Sequence, residues 1–238
     1  MNLKIIITAA AILIFIGNIS AQTELAGLGK IYPKDESSKD QSFVEFYARL
    51  KNAVDNNHLN FILDIISPEI QLDQNVPDKN NIEGFKNKYD LKDSANEFWV
   101  TAKKLLKLGA YYAPNQDSSA FMMPALYYFD EYNKLFGEEY YFKFENSDNL
   151  GNAVSENVNV YKESNESSEV VGKLNYEVVK VKNFDYDKYV PWFKIELKDG
   201  SGGYVKNEDL YLSIFDYYMV LKKVNGEWNI MAFEKTGV

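Results

Sequence analysis

Few side chains in this sequence can transfer protons near neutral pH. The 238 residues include a single histidine, His58, and no cysteine. Histidine is the usual acid or base at physiological pH, and cysteine is the usual thiol nucleophile. His58 lies beside Asn56 and Asn57 at the start of a predicted helix, where a solvent-exposed or capping role is favoured. With no Gly-x-Ser-x-Gly turn either, the sequence argues against triad hydrolases and zinc sites. We expect no metal site and no cofactor.

Carboxylates supply the alternative chemistry. A tyrosine-rich segment, 111–144, contains aromatic rings that could stack on sugars and four acids beside them, namely Asp130, Glu131, Glu138 and Glu139. A glycosidase needs two carboxylates on opposite sides of the scissile bond. In a chain with 35 acidic residues, however, such clusters arise mostly as solvated surface. We therefore predict a non-enzymatic protein, with a carboxylate-dependent carbohydrate or peptide hydrolase as the alternative.

Aromatic residues in the second half of the chain are candidates for binding. The predicted ligand-binding residues are Tyr161, Tyr186, Tyr189, Trp192 and Tyr204. Along residues 192–197, alternation places Phe193, Ile195 and Leu197 on one face and Trp192 on the other. If the first face is buried, Trp192 lies near the surface. The alternative is that Trp192 packs under the preceding loop and Tyr204 closes the fold.

Short strand patterns surround these aromatics. They are NVNVY at 157–161, VVGKL at 170–174, EVVKVK at 177–182, WFKIEL at 192–197 and GYVK at 203–206. A clear turn signal, KDGSG, lies at 198–202. Short alternating strands at close spacing, with no helical run between them, predict a small closed or nearly closed β-barrel over residues 151–212.

The order of these segments resembles the bacterial Src-homology-3-like (SH3b) domain, in which similar opening, Val-Gly-x-Leu, Trp-x-Lys and Asp-Gly-x-x-Gly-Tyr-Val segments recur. The resemblance covers residues 155–212. It implies an SH3-like barrel that binds a cell-wall peptide or a protein partner in a shallow groove between loops. This chain has Tyr161 where the family usually carries Arg, so any contact made by that Arg is absent.

Residues 42–150 are predicted to form a mainly helical α+β domain. One helix begins after Ser42, a second covers 58–66 and ends before Pro68, and a third begins at Asp93 or Ser94 and ends at Gly109. The apolar face of the first helix contains Phe43, Tyr47, Leu50 and Val54, and that of the second contains Leu59, Ile62, Leu63 and Ile66. The apolar face of the third contains Phe98, Ala102, Leu105 and Leu106, and Trp99 is expected in the core. Residues 69–91 are predicted to be loop with short strands, and 111–144 extended segments.

The last residues, 213–238, carry a hairpin signal. Asn225-Gly226 suits a type I′ turn between strands at 217–221 and 228–233. The hairpin either packs on the barrel or completes a sheet in the first domain. Helices near the start and a Gly-x-Trp-x-Ile strand near the end also give a weaker resemblance to the cystatin-like cone (nuclear-transport-factor-2-like) pattern.

The N-terminus and the net charge bear on location and partners. Residues 1–21 have a basic start, an apolar stretch and a small residue at the end, which is typical of a secretory signal peptide. The apolar stretch is shorter than the ~20 residues of a membrane span, so we expect no stable membrane anchor after cleavage. Residues 22–41 are predicted to be a flexible tether. The formal net charge of −9 disfavours nucleic acid and anionic lipid. The sequence thus predicts a secreted or periplasmic binding protein of the bacterial cell envelope.

Overall fold

The computed structural model describes residues 24–73, 76–113, 119–124, 127–137, 149–185, 188–212 and 216–235. Within these ranges the chain is mostly sheet, because thirteen strands form two sheets and are accompanied by five short helices. The predicted fold class, a mainly helical first domain followed by a closed SH3-like barrel, is therefore wrong. The pairing of the strands in each sheet explains why the structure differs from this prediction.

The helices are α1 (Gln41–Asp55), α2 (Leu59–Ile65), α3 (Ile82–Lys88), α4 (Glu97–Lys107) and α5 (Tyr127–Phe136). The strands of the first half are β1 (Gly29–Lys30), β2 (Ile66–Gln71), β3 (Tyr111–Tyr112) and β4 (Ala120–Met123). Those of the second half are β5 (Asn149–Ala153), β6 (Val158–Tyr161), β7 (Val170–Leu174), β8 (Glu177–Val181), β9 (Trp192–Glu196), β10 (Gly202–Lys206), β11 (Leu210–Leu212), β12 (Tyr217–Val224) and β13 (Glu227–Lys235).

One sheet combines strands from residues 66–123 with the two strands of the C-terminal hairpin. Its order is β2-β13-β12-β4-β3, in which β2 and β13 are parallel and the other pairs are antiparallel. The C-terminal hairpin therefore pairs with strands from residues 66–123. Helix α1 packs on this sheet, where Phe43 stacks on Phe121 with ring centroids 3.6 Å apart and contacts Trp228 at 4.9 Å. The first domain, which the sequence predicted to be mainly helical, is thus a layer of helices packed on a sheet.

The other sheet follows the path β11-β5-β8-β9-β10-β6-β7, and β1 also pairs with β8. A closed barrel would need its terminal strands to pair with each other. The strands at the two ends of this path, β11 and β7, do not pair with each other in the described residues, so the sheet is open. Residues 24–30 lie beside β7 and β8, where Glu24 bridges to Lys173 and Gly29 lies opposite Val178.

Several local predictions are confirmed. The four residues expected on the apolar face of α1 are all buried, and Trp99 is buried in α4. Gly109 follows α4 with a φ of +80°, and Asn225 and Gly226 both have positive φ, as a type I′ turn requires. The helix starts differ from those predicted, because the side chain that caps α1 is Asp40 and the one that caps α4 is Asn96.

Three segments differ from the sequence prediction. Residues 69–91 contain the end of β2 and helix α3, and residues 127–136 form helix α5 where extended chain was expected. Residues 24–31, within the predicted tether, lie along the second sheet, and Ile31 is buried. The predicted signal peptide lies outside the described residues. No helix in the described ranges is both long enough and apolar enough to cross a membrane.

Candidate functional site

The outer face of the second sheet carries most of the aromatic residues predicted to bind a ligand. Along β9, Phe193 and Ile195 are buried, whereas Trp192 is half-buried and Lys194 is exposed. The face assignment from alternation is therefore confirmed. Trp192, Lys194 and Glu196 point to the outside of the sheet, away from the small apolar core between the sheet and its loops.

Strand register brings three of the five candidates together. Tyr204 of β10 lies opposite Lys194 on one neighbouring strand and opposite Tyr161 on the other. Lys206 lies opposite Trp192. The rings of Tyr161 and Trp192 meet edge to face, with centroids 5.3 Å apart and planes at 90°. We call Tyr161, Trp192 and Tyr204 the aromatic face.

A groove beside the aromatic face adds a fourth candidate. Its volume is about 280 Å³, and it is lined by Tyr189, Pro191, Trp192 and Lys206 together with Ala95 from the loop before α4. The Tyr189 side chain is 45% exposed. Partial burial, and then the charges of Glu208 and Glu97, raise the pKa of Tyr189, so its hydroxyl remains a neutral donor. The fifth candidate, Tyr186, lies outside the described residues.

Lys206 is held between two acids at the edge of this groove. Its ammonium lies 2.6 Å from a Glu166 carboxylate oxygen and 3.6 Å from one of Glu208. Burial lowers the pKa of Lys206, but the bond to Glu166 and the charge of Glu208 outweigh that effect and raise the pKa. Lys206 therefore stays charged, and its charge is locally compensated.

A second, wider groove continues from the aromatic face. It has a volume of about 610 Å³ and is lined by Tyr204, Gly202, Glu196 and three lysines, Lys162, Lys182 and Lys194. Sequence reasoning did not single out these lysines. A signal for two of them was present, because Lys182 and Lys194 each follow a buried strand residue, Val181 and Phe193 respectively.

The residues considered for catalysis do not form a cluster among the described residues. Glu131 of α5 pairs with Lys134 at 2.5 Å, Asp130 lies in the same helix, and Glu138 and Glu139 lie outside the described residues. His58 is exposed at the start of α2, and its side chain makes no capping hydrogen bond. In the part of the chain that the structure describes, no group of three or more His, Asp or Glu residues is arranged to hold a metal ion.

A buried polar cluster lies where α4 meets the second sheet. The Lys104 ammonium donates to an Asp216 carboxylate oxygen at 2.6 Å and to the Asn207 side-chain oxygen at 3.2 Å. Burial raises the pKa of the neighbouring Tyr217 hydroxyl. The cavity here has a volume of about 30 Å³, which is room for a water molecule rather than a ligand. We therefore assign this cluster to the packing of the two halves.

The chain was compared with protein-family models, with curated proteins and with solved structures, and none of them matches it. A function must therefore be inferred from the geometry of the aromatic face and its two grooves.

Proposed function

We propose that this protein is a non-enzymatic binding protein of the bacterial cell envelope, and that it binds a peptide, a cell-wall fragment or a protein partner through the aromatic face. The observation that carries the proposal is the edge-to-face pair of Tyr161 and Trp192 on the outside of a sheet. A half-buried aromatic pair beside a groove offers a rigid contact area that loses little conformational entropy on binding.

The polar surroundings support recognition rather than nonspecific contact. Lys206 and Lys194 lie one strand away from Trp192 and Tyr204, respectively. Apolar rings can therefore supply contact area while neighbouring charged groups fix the direction of a bound segment. Export is proposed from the pattern of residues 1–21, and N-terminal sequencing of protein recovered outside the cytoplasm tests it.

Sedimentation with purified peptidoglycan tests the binding role and the hydrolase alternative together. The bound protein and the soluble wall fragments are both measured after incubation. We expect the protein to sediment without releasing fragments, and we expect Trp192→Ala and Tyr161→Ala to reduce the bound fraction. Steady release of fragments would instead favour a hydrolase. Binding that both substitutions leave unchanged would show that the aromatic face is not the site.

Tyr32 offers a matched control. It is 57% exposed and contacts Tyr176, with ring centroids 5.4 Å apart, but it lines neither groove. Tyr32→Ala removes a similar exposed ring and should leave sedimentation unchanged. If Tyr32→Ala reduces binding as much as Trp192→Ala does, general surface hydrophobicity rather than the aromatic face accounts for the interaction.

A further inference from the structure

The segment 24–31 connects two consecutive strands of the second sheet that do not pair with each other in the described part of the chain. Near one end of the segment, Glu24 bridges to Lys173 of β7. Near the other end, Gly29 lies opposite Val178 of β8. We call residues 24–31 the strap. Because its two ends bind different strands, the strap ties β7 to β8.

Main-chain hydrogen bonds hold the strap along its length. Three of its N–H groups donate to carbonyl oxygens of β7, β8 and the turn between them, at 2.9, 2.7 and 3.1 Å: Leu25 to Lys173, Leu28 to Val178, and Ile31 to Tyr176. The Ile31 carbonyl oxygen accepts from the side-chain amide of Asn152, at 3.2 Å. Asn152 is fully buried, so loss of the strap would remove a hydrogen-bond partner from the interior.

The side chains of the strap reach two cores. Leu25 packs against the small core of the second sheet, whereas Leu28 and Ile31 belong to the larger core that includes the first sheet. Gly27 lies flat against β8, where a Cβ would be 2.5 Å from the Val178 carbonyl oxygen. The cleft that receives the strap is therefore shaped for this sequence, with sockets for the apolar side chains and no space at Gly27.

An ion pair joins the strap to a buried carboxylate. The Glu177 side chain is 3% exposed, and one of its oxygens lies 3.0 Å from the Lys30 ammonium. Hydrogen bonds with Glu24 and then with Glu177 raise the pKa of Lys30, so the ammonium stays charged. Among the described residues no other cation pairs with Glu177. Removing Lys30 would thus leave a buried charge uncompensated, which is costly.

The strap also contacts the strands that carry the aromatic face. Strand β7 pairs with β6, which carries Tyr161. The Ala26 carbonyl oxygen accepts from the Lys198 N–H, at 3.4 Å, in the turn between β9 and β10. Those two strands carry Trp192 and Tyr204. We therefore expect the relative positions of the three rings to depend on the strap.

We propose that the strap regulates the aromatic face, which binds its ligand when the strap is docked and loses affinity when the strap is released. This inference rests on the proposed function. The strap can separate as a unit, because residues 1–21 are predicted to be cleaved and the strap is then connected to the fold at one end only. The apparent affinity falls in proportion to the fraction of molecules in the binding form.

A reversible lock tests the proposal, because the chain has no cysteine of its own. Lys30 and Glu177 lie opposite each other on antiparallel strands, where Cα atoms are about 4.5–5.5 Å apart and a disulfide fits. The double variant Lys30→Cys, Glu177→Cys replaces the ion pair by a bond that a reductant opens. We expect the oxidised variant to sediment with peptidoglycan as wild type does, and the reduced variant to sediment less. Wild type in the same reductant is the control and should not change.

Hydrogen exchange measures docking without any ligand. On reduction of the double variant, the Leu25 and Leu28 N–H groups should exchange about tenfold faster, while the Leu221 N–H in the centre of the first sheet keeps its rate. The loss of affinity should match the loss of docked strap. Faster exchange at Leu221 as well would overturn the proposal, because release would then unfold the whole protein.

Two glycine variants repeat the test without cysteines. Gly27→Ala forces a Cβ against the backbone of β8, whereas a Cβ at Gly29 meets only the end of the Leu135 side chain, at 3.0 Å. Gly27→Ala should therefore speed exchange in the strap and reduce binding, and the control Gly29→Ala should do less of both. Unchanged exchange in Gly27→Ala would overturn the docked position of the strap.

The results separate this inference from the proposed function. If exchange shows that the strap is released while peptidoglycan binding stays the same, and Trp192→Ala still reduces that binding, only the regulation is wrong. If Trp192→Ala leaves binding unchanged, the proposed function is wrong and the regulation fails with it.

Discussion

Lys104 and Asp216 form a buried ion pair, with 2.6 Å between Nζ and a carboxylate oxygen, that joins helix α4 to the start of the C-terminal hairpin. Both side chains are at most 5% exposed. Asp216 also accepts hydrogen bonds from the backbone N–H groups of Leu212 and Tyr217. The pair therefore fixes the point at which the chain leaves the second sheet and enters the first.

Removing one member of this pair should strongly destabilise the fold. Lys104→Met leaves the Asp216 carboxylate buried without its cation, which is expected to lower the free energy of unfolding by about 3–5 kcal/mol in urea denaturation. The matched control is Lys107→Met, one turn along the same helix, whose pair with Asp209 is partly exposed. That control should lose less than about 1 kcal/mol. Similar losses in the two variants would contradict a special role for the buried pair.

The cap of α1 makes stability depend on pH. Asp40 accepts hydrogen bonds from the Ser42 hydroxyl and from the Ser42 and Phe43 backbone N–H groups, and these lower its pKa. A lowered pKa in the folded state means that the stabilisation is complete above the pKa of the unfolded chain and is lost as pH falls through the folded value. Asp40→Asn keeps an acceptor oxygen but does not titrate. The stability difference between wild type and Asp40→Asn should therefore change only below about pH 4.

Urea denaturation of both proteins over a series of pH values measures this difference. Other carboxylates titrate in the same range, but they are common to both proteins and cancel in the comparison. A stability difference that is constant down to the most acidic condition would show that Asp40 has an ordinary pKa. Asp40→Ala removes the acceptor altogether and should cost about 1 kcal/mol at neutral pH.

The turn of the C-terminal hairpin should depend on Gly226. This residue has a φ of +89°, and no atom lies within 4 Å of the position that a Cβ would occupy. Gly226→Ala should therefore destabilise the protein by about 1–2 kcal/mol through backbone conformation alone. Asn225→Gly, at a φ of +52°, is the control and should be close to neutral. Thermal unfolding of both variants checks this, and an unchanged midpoint for Gly226→Ala would contradict the turn assignment.

Local signals in the sequence predicted local structure well. The spacing of Phe43, Tyr47, Leu50 and Val54 identified the buried face of α1, since a helix repeats its faces every three to four residues. Alternation along β9 likewise placed Trp192 on the outside of the sheet. Both patterns depend only on near neighbours in the chain, which is why sequence alone captured them.

Partners that are distant in sequence were not captured. The parallel pairing of Ile230 with Ile66 joins segments that are far apart in the sequence, and nothing in either segment specifies it. The pairing of Gly29 with Val178 likewise joins distant segments, which is why residues 24–31 were predicted to be part of a tether. The tyrosines of α5 indicated extended chain, because aromatic residues are common in strands, but the structure forms a helix there. The position of Lys194 opposite Tyr204 followed only from the strand register.

Trp192 should contribute little to the stability of the fold, as expected for a side chain near the surface. Because it is half-buried and contacts Tyr161 at the ring edge, Trp192→Ala is expected to lower the melting temperature by about 2–4 °C, equivalent to roughly 1 kcal/mol. Trp228 is 5% exposed and packs against Phe43, so Trp228→Ala should cost about 3–5 kcal/mol. Calorimetry of both variants distinguishes the two environments. A loss for Trp192→Ala as large as that for Trp228→Ala would place Trp192 in the core.

Acrylamide quenching of tryptophan emission tests the binding role of the aromatic face most directly. Of the three tryptophans, Trp99 and Trp228 are buried and Trp192 is half-buried, so the accessible emission should belong to Trp192 and disappear in Trp192→Phe. Saturation with purified peptidoglycan fragments should reduce that quenching. Ligand binding that leaves the quenching of Trp192 unchanged would contradict the account.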